Sequence, residues 1–143
     1  MRAILNTLNG KLLCCEDKLD EVVERFSIGA MSVEAALRHF VRIRDKAVIT
    51  GGDRADIMLV ALDTSTKCLV LTGNLYPNDV ILSRAQQAGV PVIVVPSDTL
   101  ETVEKFEAMM GKLSIRDKSK VDYAVRILDK YINYSALFRA LGI

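Results

Sequence analysis

Three short polar stretches hold the residues able to do chemistry in this 143-residue chain: Thr50-Gly51-Gly52-Asp53-Arg54 with Asp56 close behind, Thr72-Gly73-Asn74, and Ser97-Asp98-Thr99. Each follows an apolar run and precedes a segment of helical spacing. They offer hydroxyls, an amide, carboxylates, one guanidinium and the unpaired N–H groups of helix starts, a set suited to holding a polar small molecule. The Gly51-Gly52 pair allows positive φ and close backbone approach. A second reading competes with this one. Thr-Gly and Ser-Asp are also ordinary turn and cap chemistry, with Asp53 satisfying the N–H groups of its own helix. Its carboxylate then fills the place a phosphate would take, and two more acids repel an anion unless Arg54 offsets them or pairs with Asp56 or Asp98.

Patterns that would name a reaction are missing. The sequence has no GxxxxGK[ST], GxGxxG, GxSxG, CxxC or HExxH. His39 is the only histidine and reads as a surface or half-buried side chain, so neither a metal nor a cofactor is expected. One enzymatic reading stays open, a weak hydrolase or transferase of phosphorylated metabolites using a divalent ion on Asp53, Asp56 or Asp98. The formal charge is +1 with signs interspersed, and aromatics are few. That balance argues against a nucleic-acid surface or a polybasic membrane patch. The apolar run Val90–Pro96 is far too short to cross a bilayer, and the start of the chain has no signal-peptide pattern, which fits a cytoplasmic protein. Cys14, Cys15 and Cys68 read as buried thiols.

The elements that must position these residues follow from apolar runs at Ala47, Leu69 and Val92. Each ends in one of the polar stretches, and helical segments follow at Ala55–Leu62, Asp79–Ala88 and Leu100–Met110. Strand and helix in alternation with short turns predict parallel strands joined by right-handed crossovers. The runs are apolar on both parities, as strands covered on both faces should be. In such a sheet the turns after the strands share one edge, where ligands bind at switch-point crevices. Upstream, Lys11–Cys15 suits a short strand, and Leu19, Val22, Val23 and Phe26 suit a helix or an irregular edge segment. Ser32 reads as an N-cap, with Ala35, Ala36, Leu37 and Phe40 as the apolar stripe behind it. Asp53 with Asp56, and Asp98 with Glu101, resemble capping boxes. Leu100, Val103, Phe106 and Met110 make an apolar face, Gly111–Lys118 a polar connector, and residues 118–143 two terminal helices, the second Tyr134–Leu141.

Ala47–Asp56, Thr72-Gly73-Asn74-Leu75-Tyr76-Pro77, Gly89-Val90-Pro91-Val92 and Ser97-Asp98-Thr99-Leu100 resemble the DRTGG domain family. Ile28-Gly29-Ala30-Met31-Ser32 with Ala36-Leu37 is similar to the version in the amino-terminal region of long phosphotransacetylases. The resemblance covers about Val22 to Ile132. It implies a three-layer α/β/α domain with a mainly parallel sheet, similar to the amino-terminal domain of HPr kinase, commonly dimeric, regulatory, and without an established activity of its own. Its signature positions correspond here to Thr50, Gly51, Gly52, Asp53 and Arg54, with Asp98 and Thr99 on a later loop. Ala55 stands where many members carry Thr, so one hydroxyl is missing. Neither a phosphate-loop domain nor an acyltransferase domain is present in the sequence, so phosphotransacetylase activity is not carried over.

The expectation is therefore one domain over residues 1–143, a non-catalytic regulatory or ligand-sensing module. It is expected to act as a homodimer, to bind a nucleotide or phosphorylated metabolite at the Thr50–Arg54 edge, and to serve a partner enzyme in trans. Leu128, Tyr131, Ile132, Phe138 and Leu141 are candidates for the dimer face or for packing on the sheet. A purely structural dimerisation domain is the alternative.

Overall fold

The computed structural model describes all residues except Asp117, Ile132 and Ile143, and gives no side-chain detail for 112–121, 123, 134 and 137. The described chain falls into two compact units, Met1–Met109 and Met110–Ile143.

In the first unit the apolar runs become three neighbouring strands, β3 (Lys46–Gly51), β4 (Thr66–Thr72) and β5 (Val92–Val94). The short upstream segments β1 (Lys11–Cys14) and β2 (Arg25–Ile28) flank them. The sheet order is β1-β5-β4-β3-β2, with β1 antiparallel to β5 and all other pairs parallel. From β2 to β5 the order advances one strand at a time, so the parallel part has no point at which strand order reverses. The switch-point crevice expected from the sequence is not built.

Helices α2 (Val33–Phe40), α3 (Ala55–Leu62) and α4 (Asp79–Ala88) connect consecutive strands, with α3 packed between the other two. Their Ala36, Phe40, Ile57, Met58, Ala61, Ile81 and Ala85 form a core with Val48, Leu69, Leu71, Val92 and Val94. The register places Ala47, Ile49, Val70 and Ile93 on the opposite sheet face. There α5 (Thr99–Arg116) packs Phe106 on Phe26, ring centroids 5.0 Å apart. Gly10, after α1 (Arg2–Thr7), fits closely over Ile93. Both faces of the central strands are thus covered, which is why their runs carry no polar alternation.

Local signals behave as the sequence suggests at several ends. The Ser32 hydroxyl accepts from Ala35 N–H at 3.3 Å, and Gly89 closes α4 in the left-handed conformation. Three details differ. Leu37 is exposed, leaving Ala36 and Phe40 as the buried row of α2. On α5 the buried row is Thr102, Phe106 and Met109, with Leu100 in solvent. The expected connector Gly111–Lys118 is helical through Arg116, and α6 (Lys118–Tyr131) follows at once. In the second unit α7 (Tyr134–Leu141) has the expected bounds, with Asn133 as N-cap. The exposed residues include Leu128, Tyr131, Phe138 and Leu141, while Ile132 lies outside the described residues.

The cysteines are free thiols, Cys14 and Cys68 buried and Cys15 half-buried. Burial pushes the Cys68 thiol up to about 12 and Cys15 up to about 11, which suppresses the reactive thiolate. A thiol reagent at pH 8 should label Cys68 only as fast as the domain opens, and all three thiols at once in denaturant. Rapid native labelling of Cys68, read by peptide mass spectrometry, would contradict its burial.

Candidate functional site

The three polar stretches do meet. They are the loops that leave β3, β4 and β5 at the carboxyl edge, and main-chain bonds interlock them. Gly52 N–H donates to Thr72 O at 3.3 Å, Gly73 N–H to Ser97 O at 2.8 Å, and Asn74 N–H to Val95 O at 2.9 Å. Hydroxyls add to the lock: Thr72 and Thr99 Oγ1 lie 2.8 Å apart, and Thr50 Oγ1 donates to Gly29 O at 2.9 Å. Both Thr50 and Thr72 are buried. These two, offered by the sequence as ligand contacts, are fasteners in the structure.

Neither Gly51 nor Gly52 has positive φ; that conformation falls on Gly73 (φ 77) and on Asn74 (φ 55). What Gly52 supplies is clearance, since a Cβ there would stand 2.1 Å from Leu75 O.

Asp53 does not cap its helix. Arg54 occupies the N-cap of α3, without a side-chain cap bond, and Asp53 is exposed with no hydrogen bond among the described residues. Arg54 instead makes a bidentate pair with Asp56, both contacts 3.0 Å, and Nη2 also donates to Met31 O at 2.9 Å. The pair raises the Arg54 pKa, and hydrogen bonding from Arg54 holds the Asp56 carboxyl below its ordinary value. Asp98 does cap, accepting from Glu101 N–H at 2.9 Å, and Ser97 Oγ accepts from Lys105 Nζ at 3.4 Å. The polar side chains of these loops without a hydrogen bond among the described residues are therefore Asp53, whose charge acts on Arg54, and Asn74. Among the described residues no three His, Cys, Asp or Glu side chains form a metal-binding group.

Sequence reasoning missed the apolar part of this edge. Leu75, Tyr76 and Leu100 are exposed here, and Lys11 Nζ sits 5.6 Å from the Tyr76 ring centroid. The signal was Leu75-Tyr76, two large apolar residues inside a turn. A depression of about 530 Å³ lies at the opposite edge, where β2, β3 and β4 begin, lined by Glu21, Val22, Glu24, Arg25, Arg44, Asp45 and Lys67. Its three acids match its three bases, and Lys67 is already 3.4 Å from Glu21. The interlocked loops, and not this open depression, are where sequence signature and geometry coincide.

A family model described as the DRTGG domain matches residues 3–109. The chain belongs to the DRTGG domain family. The match starts earlier than the expected Val22, takes in β1 to β5, and stops at the last residue of the first compact unit. The phosphate acetyltransferase of Synechocystis sp. is 27% identical over 158 residues, covering 100% of this chain and 22% of that protein. That of Nitratidesulfovibrio vulgaris is 25% identical, covering 96% and 21%. The chain thus spans about a fifth of the length of these relatives. Among solved structures, the CBS and DRTGG domains of the regulatory region of Clostridium perfringens pyrophosphatase, complexed with the activator diadenosine tetraphosphate, match with a TM-score of 0.59. The identity is 25%, over 73% of this chain and 44% of that one. Among the described residues no helix of the DRTGG domain or of the second unit is long and apolar enough to cross a membrane.

Proposed function

We propose that this DRTGG domain is a non-catalytic regulatory module. It binds a small phosphorylated ligand, a nucleotide or a phosphorylated metabolite, at the carboxyl edge, and it works as a homodimer that serves a partner enzyme. The observation that carries the reading is the division of labour at that edge. Backbone bonds, Thr50, Thr72, Thr99 and the Arg54–Asp56 pair hold the loops, while the side chains of Asp53 and Asn74 make no hydrogen bond among the described residues. Asn74 keeps a left-handed backbone that non-glycine residues seldom adopt. The regulatory region of the pyrophosphatase and its nucleotide activator support the ligand class. Acetyl transfer is not carried over, because the stretch shared with the acetyltransferases is about a fifth of their length.

A structural dimerisation domain is the second reading, favoured by the consumption of Thr50, Thr72, Asp56 and Asp98 in internal bonds. A thermal-shift screen against nucleotides, dinucleotides, acyl phosphates, coenzyme A and divalent ions separates the two. A ligand at a hundred times its Kd that binds only the native state adds about 2.7 kcal/mol of stability, a shift of several degrees in a domain of this size. Loss of that shift in Arg54→Ala places the ligand at the edge. Silence across the panel favours the structural reading.

A further inference from the structure

The depression at the amino edge of the sheet, about 530 Å³, is of the size that holds small molecules. The loops that enter β3 and β4 are tied together beside it. Asp45 N–H donates to Ser65 Oγ at 2.9 Å, Ser65 Oγ donates to Asp45 Oδ1 at 3.1 Å, and Lys46 Nζ donates to Ser65 O at 2.9 Å. These bonds accompany a left-handed backbone at Asp45, φ 52. The register sets Arg25 beside Lys46 and Lys46 beside Thr66, which Lys67 follows, so cations gather where the three strands begin.

By count the lining charges cancel, but by pairing they do not. Glu21 is engaged twice, 3.4 Å from Lys18 Nζ and 3.4 Å from Lys67 Nζ, and hydrogen bonding from Lys18 and then Lys67 holds its carboxyl below its ordinary value. Asp45 accepts from Ser65, and its charge acts on the buried Lys46 ammonium behind it. The guanidiniums of Arg25 and Arg44 line the depression, and neither has a partner among the described residues. One unpaired acid, Glu24, stands against these two unpaired bases.

We propose that this depression is a second ligand site, in which Arg25 and Arg44 grip a diphosphate group, that of inorganic pyrophosphate or of a nucleoside diphosphate. A guanidinium forks two oxygens of one acidic group. A single carboxylate satisfies one such fork and leaves the other arginine unpaired. A diphosphate has oxygens for both, and enough charge to be attracted past Glu24. The site is separate from the carboxyl-edge ligand proposed above, since it lies where β3 begins and Arg54 lies beyond the end of that strand.

Isothermal titration calorimetry of the full chain with pyrophosphate and with ADP, at low ionic strength, tests it. Arg25→Ala and Arg44→Ala should each weaken binding by about tenfold, and the double variant should abolish it. Arg44→Lys, which keeps the charge and loses the fork, should also bind more weakly than the wild type. Both arginines are exposed and without side-chain bonds among the described residues, so thermal melts of the unliganded variants should match the wild type. Arg38→Ala removes the same charge from α2, outside the depression, and should leave the affinity within about twofold. Glu24→Gln should tighten binding severalfold, because it removes the acid that opposes the ligand. Tighter binding of ADP than of pyrophosphate assigns the site to a nucleotide, and the reverse order to the inorganic ion. Absence of binding by both overturns the site. So does binding that the double variant leaves intact, or that Arg38→Ala weakens as much as Arg44→Ala does. Weaker binding in Glu24→Gln overturns the anion chemistry, because the ligand then carries a cation for that acid. Binding lost in Arg54→Ala and kept in the double variant belongs to the carboxyl edge and overturns this site alone.

Discussion

Gly52→Ala should cost the DRTGG domain about 3 kcal/mol, and urea unfolding should show it as a lower midpoint with an unchanged slope. The added methyl would sit 2.1 Å from Leu75 O and 2.6 Å from the Leu75 carbonyl carbon. Those are backbone atoms of a loop already fixed by Gly73 N–H on Ser97 O and Asn74 N–H on Val95 O, so neither side can yield cheaply. Two neighbours are controls. At Gly51 the nearest atom is Asp53 Oδ1, the free end of a flexible side chain, so Gly51→Ala should cost well under 1 kcal/mol. At Gly73 an added methyl would make only an ordinary contact, 3.7 Å from Leu75 Cδ1 and Cγ, but φ is 77, and alanine should lose about 1 kcal/mol to backbone strain alone. If all three substitutions cost the same, glycine is needed here for turn flexibility and the interlocked loops are not the cause.

That ranking shows what was legible in the sequence. Gly51-Gly52 announces a tight place, but which glycine is obligatory depends on Leu75, twenty-odd residues later and on another loop. Asp53 failed as a predicted cap where a neighbour is anchored from another loop, Arg54 Nη2 donating to Met31 O. The spacing of Asp53 and Asp56 is that of a capping box, yet Arg54 takes the cap position and draws Asp56 away through a bidentate pair. Asp98 met its expectation because its partner, Glu101 N–H, is local. Local hydrogen bonds could be read from spacing, and those that bridge loops could not.

The same division holds for the fold. β3, β4 and β5 were visible because strands covered on both faces are continuously apolar. α3 and α4 have the bounds expected, and for α4 both ends are set locally, by Asn78 accepting from Ile81 N–H and by Gly89 in the left-handed conformation. β2 was ambiguous because it is an edge strand of four residues with mixed burial, so its apolar residues show neither period cleanly. The direction of β1 could not be read at all, since strand direction is set by pairing and not by composition. The missing switch point follows from strand order, a property that the alternation of strands and helices does not determine.

The domain should become more stable by about 1.4 kcal/mol as pH rises from 7 to 9, through the titration of Lys46, and Lys46→Met should lose that rise. Lys46 begins β3 fully buried, its Nζ donating to Thr64 Oγ1 at 3.0 Å and Ser65 O at 2.9 Å and lying 5.3 Å from the Phe40 ring centroid. Among the described residues no carboxylate forms a hydrogen bond or ion pair with it. Burial pulls its pKa from 10.5 to about 8, against a smaller upward pull from Asp45. The unfolded chain therefore holds this proton up to its ordinary value while the folded chain releases it near pH 8. In that window the unfolded state binds more protons, and stability rises with pH. The cysteines act in the opposite sense: Cys15 and Cys68 keep their protons longer in the folded state, so above about pH 9 they begin to lower stability with increasing pH. For that reason the informative quantity is the difference between wild type and Lys46→Met in urea unfolding at several pH values, in which the cysteine contributions cancel. A difference that changes steadily from pH 8 upward shows that the buried amine carries its charge at neutral pH against the cost of burial. Parallel curves would mean that Thr64, Ser65 and the Phe40 ring solvate the ammonium as well as water does.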